Sequence, residues 1–374
     1  MTIRSIAFYL PQFHPIPEND QWWGKGFTEW TNVTAAQPRF KGHEQPHLPA
    51  DLGFYDLRLP EVMESQAELA RSYGIQGFCF YHYWFQGQRL LEKPIEAYLH
   101  SGKPDFPFCL CWANENWTRS WNGRDKDVLL RQDYSEQDDI DHLDYLAPFF
   151  KDPRYIRIDG KPVLLVYRVS NLPDAKATAE RWRRRAREQG IGELCLLSVE
   201  SVLECHRDPQ HFGFDVAVEF QPDWTVLPPA MRRSRPWRLL RRLGLANRAY
   251  QNNRIMPYAA LVAAMAAKAI PEYPRFPCVT PAWDNSSRRQ DNATIFIGST
   301  PALYEGWLRR VLRELPNRNL PEPIVFLNAW NEWAEGCHLE PDRRWGHAYL
   351  EATRRALQAE APTDAPNQGP LVAP

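Results

Sequence analysis

The chain has 374 residues, 44% of them apolar, with 45 Lys and Arg against 46 Asp and Glu for a net charge of −1. That length fits one large barrel or two modest domains, and the apolar share fills a sizeable core, which excludes a disordered or fibrous chain. The near-neutral balance leaves no global field to recruit nucleic acid, while 15 Trp, 15 Tyr and 18 Phe exceed what a core requires.

Eight short runs rich in β-branched and aromatic residues read as buried strands. In chain order they are Ile3–Leu10, Gly77–Tyr81, Phe106–Trp112, Val163–Tyr167, Leu194–Val199, Val216–Phe220, Pro277–Pro281 and Ile324–Asn328. Helical patterns separate most of them. Pro60 to Tyr73 places Met63, Ala67 and Ala70 on one face, with Pro near its start and Gly74 just past its end. Ser135 to Phe150 repeats Ile140, Leu143, Leu146 and Phe150, Asp174 to Gln189 begins at a cap and stops at Gly190, and Pro257–Ile270, Pro301–Leu312 and Gly346–Gln358 continue the alternation. The segment after Val199 is short and irregular.

Eight strands alternating with helices predict an α/β fold, a single (β/α)8 TIM barrel with long βα-loops. The expected domain spans residues 1–358, carries a basic insertion at 228–256, and is followed by a Pro-rich tail at 359–374 that is expected to be disordered. Excess length falls at 12–56, 113–134 and 222–256, each after a strand's C-terminal end, where this fold builds its active site. The seven cysteines lie mostly in apolar runs and read as reduced core residues; Cys109-x-Cys111 has no metal-ligand partner nearby. Residues 1–10 show neither a long apolar run nor a small-residue cleavage site. A cytoplasmic location, with peripheral attachment to the inner membrane as a variant, is therefore expected.

The strand ends share one chemistry. The first offers Tyr9, Gln12 and His14, followed in its long loop by Trp30; the second, Tyr81, His82, Tyr83 and Trp84; the third, Trp112, Asn114, Glu115 and Trp117. Later ends supply Glu219, then Trp283, Asp284 and Arg288, and finally Trp330, Asn331, Glu332, Trp333 and Glu335. Carboxylates, amides and indoles converging on one mouth suit a neutral polyhydroxylated ligand such as an oligo- or polysaccharide. No Gly-rich phosphate loop occurs, so no nucleotide cofactor is expected, and His14, His47 and His338 lack metal-ligand spacing, so no metal is expected. Glu332 and Glu335 stand three apart after an apolar strand, between indoles and just before Gly336, and are the candidate catalytic pair.

At this stretch the chain resembles a known family. Asn331-Glu-Trp-Ala-Glu-Gly336, continued by Leu339-Glu-Pro341, is similar to the catalytic strand end of glycoside hydrolase family 99, the endo-α-mannosidases. Its bacterial WbsX-like branch is resembled by Ala7–His14, Gly26–Trp30, Asp51–Tyr55, Phe80–Trp84 and Trp112–Trp117. The resemblance spans roughly residues 3–350 and implies a (β/α)8 barrel. It also implies a retaining mechanism in which Glu332 takes the proton of the sugar's 2-hydroxyl, which closes on C1 as a 1,2-anhydro sugar. Glu335 would be the acid for the leaving oxygen and then the base for water, so Glu335 is expected protonated and Glu332 ionised near neutrality. Glu115, Tyr83 and Trp84 would grip and floor a sugar ring, and Asp284 and Arg288 would bind a neighbouring sugar or orient a catalytic Glu. Two departures matter: Ala334 stands where the family has His, and the long first, third and sixth loops do not match. A mannose- or rhamnose-type residue of a bacterial surface polysaccharide is the implied substrate.

Eight arginines and no acid lie between Arg232 and Arg254, interleaved with Trp237, Leu239, Leu240, Leu243 and Leu245. The stretch reads as a solvated loop paired with acidic neighbours, or as a short basic helix for an anionic membrane or a lipid-linked glycan. Two other functions compete with hydrolysis. A metal-dependent glycosyltransferase would need an Asp-x-Asp, which Asp125–Asp127 in a polar loop and Asp139–Asp141 near a helix start match in letters only. A non-catalytic glycan-binding barrel would leave the carboxylates dispensable. No nucleic-acid motif is present.

Overall fold

The computed structural model describes residues 3–119, 124–201, 206–233, 235–243 and 247–360. Within it, the expected runs form one ring of parallel strands: β1 (Arg4–Tyr9), β2 (Gly77–Phe85), β3 (Phe108–Trp112), β4 (Lys161–Val166), β5 (Cys195–Glu200), β6 (Val216–Glu219), β7 in two pieces (Arg275–Phe276 and Cys278–Val279) and β8 (Ile324–Leu327). All nine residues of β2 are buried, as a strand covered on both faces requires. Gly77 opens it because a Cβ there would meet Ile156 Cδ1 at 2.7 Å and the Pro107 carbonyl at 3.2 Å.

The barrel closes through a division of labour in β7. Pro277 has no N–H to give to a ladder, and the strand changes partner around it. Before the proline, Arg275 and Phe276 pair with Ala217 and Val218 of β6; after it, Cys278 and Val279 pair with Phe326 and Leu327 of β8. The Pro277 carbonyl still accepts Phe326 N–H at 2.9 Å. β8 then pairs with β1, Arg4 opposite Ile324, which nearly closes the ring.

Among the described residues, seven helices cover the ring: α1 (Pro60–Ser72), α2 (Lys93–Ser101), α3 (Glu136–Lys151), α4 (Ala175–Glu188), α5 (Tyr258–Ala266), α6 (Pro301–Glu314) and α7 (Ala348–Ala359). Their starts follow from local chemistry: Ser135, Asp174 and Thr300 side chains accept the N–H of Asp138, Ala177 and Leu303, satisfying donors that the first turn orphans. α2 was not anticipated, and after β5 a 3-10 turn, Pro209–Phe212, takes the place of a helix.

The loops carry structure of their own. Trp117–Arg119 pairs with Arg124–Leu130 as a hairpin, so the segment expected as a polar loop around Asp125–Asp127 is a strand. Arg254–Pro257 pairs in parallel with Thr294–Ile297, fastening the end of the basic insertion to the loop after β7. Within that insertion Arg235–Arg242 is helical, Trp237 stacks on Tyr250 at 4.0 Å, and Leu239 and Leu243 are exposed. Residues 234 and 244–246 of the insertion, and 361–374 of the expected tail, lie outside the described residues. Among the described residues no helix is long and apolar enough to cross a membrane.

Candidate active site

A cleft of about 900 Å³ opens at the C-terminal ends of the strands. Its walls are aromatic and amide-bearing: Tyr81 and Tyr83 from β2, Trp117 and Asn116 from the third loop, Tyr167 and Asn171 after β4, Phe220 and Trp224 after β6, and Trp283 after β7. Glu332 and Glu335 also line it.

The turn that presents these two carboxyls is tightly held. Asn331–Glu332 pairs with Cys337–His338, and Trp333–Glu335 forms a 3-10 turn closed by Gly336 N–H to the Trp333 carbonyl at 3.0 Å. Gly336 sits at φ 62°, and a Cβ there would meet Asp284 N at 3.0 Å. Asn331 clamps the turn to the end of β1, its amide bonding both the N–H (2.7 Å) and the carbonyl (3.0 Å) of Leu10. Asp284 N–H donates to the Glu335 carbonyl at 2.7 Å. Beneath, buried Glu340 accepts from Trp333 Nε1 (2.6 Å), Gln66 Nε2 (2.6 Å) and Tyr55 Oη (2.8 Å). Burial under these neutral donors pushes Glu340 up to about 7.

One guanidinium joins the acidic pair. Arg288 donates from Nη1 to Glu335 at 2.7 Å and from Nη2 to Glu332 at 3.0 Å, while its Nε reaches Glu29 at 3.0 Å. Glu29 is fully buried, and its carboxyl is raised, by burial first, against the pull of Arg288. Three carboxyls around one cation cannot all ionise cheaply in a site this dry, so protons are retained. Glu332 takes the larger share: burial, with Glu335 and Glu29 adding to it against Arg288, pushes it up to about 8. Arg288 is itself buried, but the three carboxylates more than offset that and hold it charged. The expectation of an ionised Glu332 runs against this direction, because burial falls on Glu332, whereas the Glu335 side chain is 22% exposed to the cleft.

Of the other residues singled out from the sequence, Gln12, Tyr81, Tyr83, Glu115, Trp117, Trp283 and Arg288 line the cleft. Glu115 is there on the rim, bonded to Arg168 Nε at 2.9 Å. The rest lie elsewhere, mostly because strand parity turns them outward. His82 meets His142 of α3 at 2.9 Å, and Trp84 donates to Asp138 of the same helix at 2.8 Å. Tyr9 donates to Gln66 of α1 at 2.6 Å, and Trp112 is buried with its Nε1 on the Trp84 carbonyl at 3.3 Å. Asn114 is a strut between loops, bonding Arg168 N and O at 2.8 Å each. His14, Trp30, Trp330 and Trp333 are buried in the core beneath or beside the turn.

Two charged residues are diverted into other contacts. Glu219 is held by Lys268 at 2.5 Å, away from the cleft, and Lys268 and Arg275 keep its carboxyl low despite burial. The Asp284 carboxylate accepts from Gln45 Nε2 at 2.9 Å and sits 2.7 Å from His43 Nε2, so it orients Glu335 through its backbone alone. Glu29, in a loop helix (Glu29–Ala35), lies within the Gly26–Trp30 motif, but nothing local marks it as a partner of Arg288. Tyr167 and Phe220 were missed as cleft residues although they close apolar runs, as Tyr81 does. The histidine spacing is also overturned by the fold, which brings His47 and His338 together.

Comparison with known proteins agrees with this architecture. The profile of the family described as "Glycosyltransferase WbsX" matches residues 5–353. A curated relative, the "Uncharacterized protein WxcX" of Xanthomonas campestris pv. campestris, is 47% identical over 353 residues, covering 94% of this chain and 49% of its own. The chain thus spans about half the length of the curated relatives it matches. Among solved structures, a "glycoside hydrolase-like protein" superposes with a TM-score of 0.61 at 15% identity, covering 95% of this chain and 94% of that one. The family-99 endo-α-mannosidase of Bacteroides thetaiotaomicron superposes with a TM-score of 0.57 at 14% identity, covering 96% and 97%. At such identities these structures speak for the barrel alone. The family match runs from β1 into the final helix, and the chain belongs to the Glycosyltransferase WbsX family.

Proposed function

We propose that this protein cleaves glycosidic bonds in a neutral glycan, with Glu332 and Glu335 as its proton-transfer pair. The observation that carries the reading is one guanidinium bridging two carboxyls of unequal burial at the base of an aromatic-walled cleft. Unequal burial separates proton affinities, which acid/base work on an acetal requires. Trp117, Tyr83, Trp224 and Trp283 supply ring faces for pyranose C–H surfaces.

The step we favour is retention through the substrate's own 2-hydroxyl. Glu332 takes that proton while O2 bonds to C1, the bond from C1 to the leaving oxygen breaks, and Glu335 protonates the departing group. Water then opens the 1,2-anhydro ring with Glu335 as base, and the 2-hydroxyl recovers its proton from Glu332. Glu332, whose carboxyl burial pushes up to about 8, must be ionised and Glu335 protonated before this chemistry begins. A mannose- or rhamnose-type residue, whose axial 2-hydroxyl stands opposite an α leaving group, fits the requirement, and a bacterial surface polysaccharide is the source we favour.

A second reading, glycosyl transfer, is favoured by the family's description and by Arg254 and Arg289 on the cleft wall, cations that a nucleotide diphosphate would use. Incubating the protein with α-linked rhamnans and mannans, with and without nucleotide sugars, and following the first anomer by NMR separates the two. Release of an α-configured product without nucleotide supports hydrolysis. Product only with a nucleotide sugar refutes it, and binding with no turnover, unaffected by Glu332→Gln and Glu335→Gln, would leave a glycan-binding barrel. The basic insertion is proposed as a peripheral contact for anionic lipid or a lipid-linked glycan.

A further inference from the structure

A second cluster lies behind the catalytic turn, outside the cleft. The loop after β1 runs alongside the segment after β8: Ala50 N–H donates to the Pro341 carbonyl and Arg343 N–H to the Leu48 carbonyl, each at 2.9 Å. This antiparallel contact sets His47 against His338 and Asp342, and one donor atom from each lies within 4.8 Å of the others. His47 Nδ1 and His338 Nε2 are 2.9 Å apart, and His338 Nε2 is 3.9 Å from Asp342 Oδ2.

We propose that His47, His338 and Asp342 bind a divalent metal of the zinc class, which pins the first βα-loop to the catalytic turn. Two imidazoles and a carboxylate are a ligand set that borderline metals accept, with a fourth position open. The outer contacts already orient the ligands. A carbonyl only accepts, so the 2.9 Å contact from His338 Nδ1 to the Glu340 carbonyl places the ring proton on Nδ1 and a lone pair on Nε2. Asp342 Oδ1 is occupied by the N–H groups of Arg344 (2.8 Å) and Trp345 (2.6 Å), which leaves Oδ2 for the metal. An adjoining cavity of about 50 Å³, lined by all three residues, is large enough for a water to complete the shell.

The geometry needs only a small adjustment. Two nitrogens bound tetrahedrally at ~2.0–2.1 Å lie roughly 3.3 Å apart, so the imidazoles must part by several tenths of an ångström as the metal replaces the proton between them. His47 is on a loop and only partly buried, which lets it move. His338 stacks on Trp333 at 3.7 Å, so the metal would stiffen the turn that carries Glu332 and Glu335 without touching the cleft. The described cysteines are buried free thiols and do not compete as an exposed site.

The test is metal uptake by the full chain after dialysis against a chelator. Titrated Co²⁺ should give the intense visible bands of four-coordination at one equivalent, Zn²⁺ should displace it, and Mg²⁺ should not. Zinc should also raise the unfolding temperature of the wild type. His47→Ala should weaken zinc binding at least about 100-fold and remove the thermal shift. Asp342→Asn, which retains the Oδ1 acceptor and so the fold, should weaken it about tenfold or more. Absence of one-equivalent uptake at micromolar zinc by the wild type would overturn the proposal. So would uptake unchanged in Asp342→Asn, whether or not His47→Ala folds, because the hydrogen-bonded histidine pair would then be only a fastener.

Discussion

The proton on Glu332 can be tested without knowing the substrate. Burial pushes this carboxyl up to about 8, against an ordinary value near 4.5, so the folded chain binds the proton more tightly than the unfolded chain does. For a folded-state value raised in this way, the stability contribution is complete below the unfolded value and is lost as pH rises toward 8. A rise of between three and four pH units corresponds to an upper bound of about 5 kcal/mol at about 1.4 kcal/mol per unit. Glu332→Gln keeps the shape of the protonated acid and has nothing to ionise. Its unfolding temperature relative to wild type should therefore increase from pH 5.5 to pH 9, by several degrees if even a third of the bound is realised. Differential scanning fluorimetry at matched ionic strength, confirmed by urea unfolding, measures it. A difference between the two proteins that stays constant across that range, or that favours wild type at pH 9, would refute the burial argument, because Glu332 would then be ionised already at neutrality. Once a substrate is in hand, the productive form pairs an ionised Glu332 with a protonated Glu335, so kcat/KM should show both an ascending and a descending limb with pH; a profile with a single limb would remove one of the two carboxyls from the proton-transfer pair.

Other outcomes follow from particular contacts. Arg288→Ala leaves Glu29, Glu332 and Glu335 without their shared cation, and should cost about 3–5 kcal/mol in urea unfolding; adding Glu29→Gln should recover part of that loss. Gly336→Ala forces a Cβ onto Asp284 N and a side chain into a left-handed φ, so it should lose about 1–3 kcal/mol and displace Glu335, read as a larger fall in kcat than rise in KM. Trp117→Ala removes a cleft wall and should weaken glycan binding about tenfold by calorimetric titration; because Trp117 also packs on Tyr83 and Trp22, the unfolding temperature should fall as well. If the basic insertion meets anionic lipid, the chain should float with phosphatidylserine vesicles at low salt and be released near 0.5 M salt; indifference to lipid charge would remove that role.

Much of this architecture is written in local pattern. Uninterrupted apolar runs bounded by turn residues foretold all eight strands, and Ser135, Asp174 and Pro60 marked helix starts that the fold retains. Helix α2 hid because its apolar positions, Ile95 and Tyr98, are too few for a period to show. The turn that carries Glu332 and Glu335 stood out because carboxylate, glycine and indole fall within nine consecutive residues of one strand end. Parity was the weaker reading: the second strand offers Tyr81, His82, Tyr83 and Trp84 in succession, and alternate residues leave for the cleft and for α3. Period-two alternation was available there, but which phase faces inward depends on the closed ring.

What no stretch of sequence contains is the meeting of distant charges. Arg288 stands 259 residues from Glu29 and 47 from Glu335, and only closure of β8 onto β1 brings the three together. The same closure lays residues 47–50 beside 341–343 and turns three unrelated side chains into one cluster. Composition and periodicity settle which residues leave water and in what local shape, since those depend on neighbours along the chain. Proton affinity depends on the field and dryness at a point in space, so the unequal burial of Glu332 and Glu335 belonged to the tertiary structure alone.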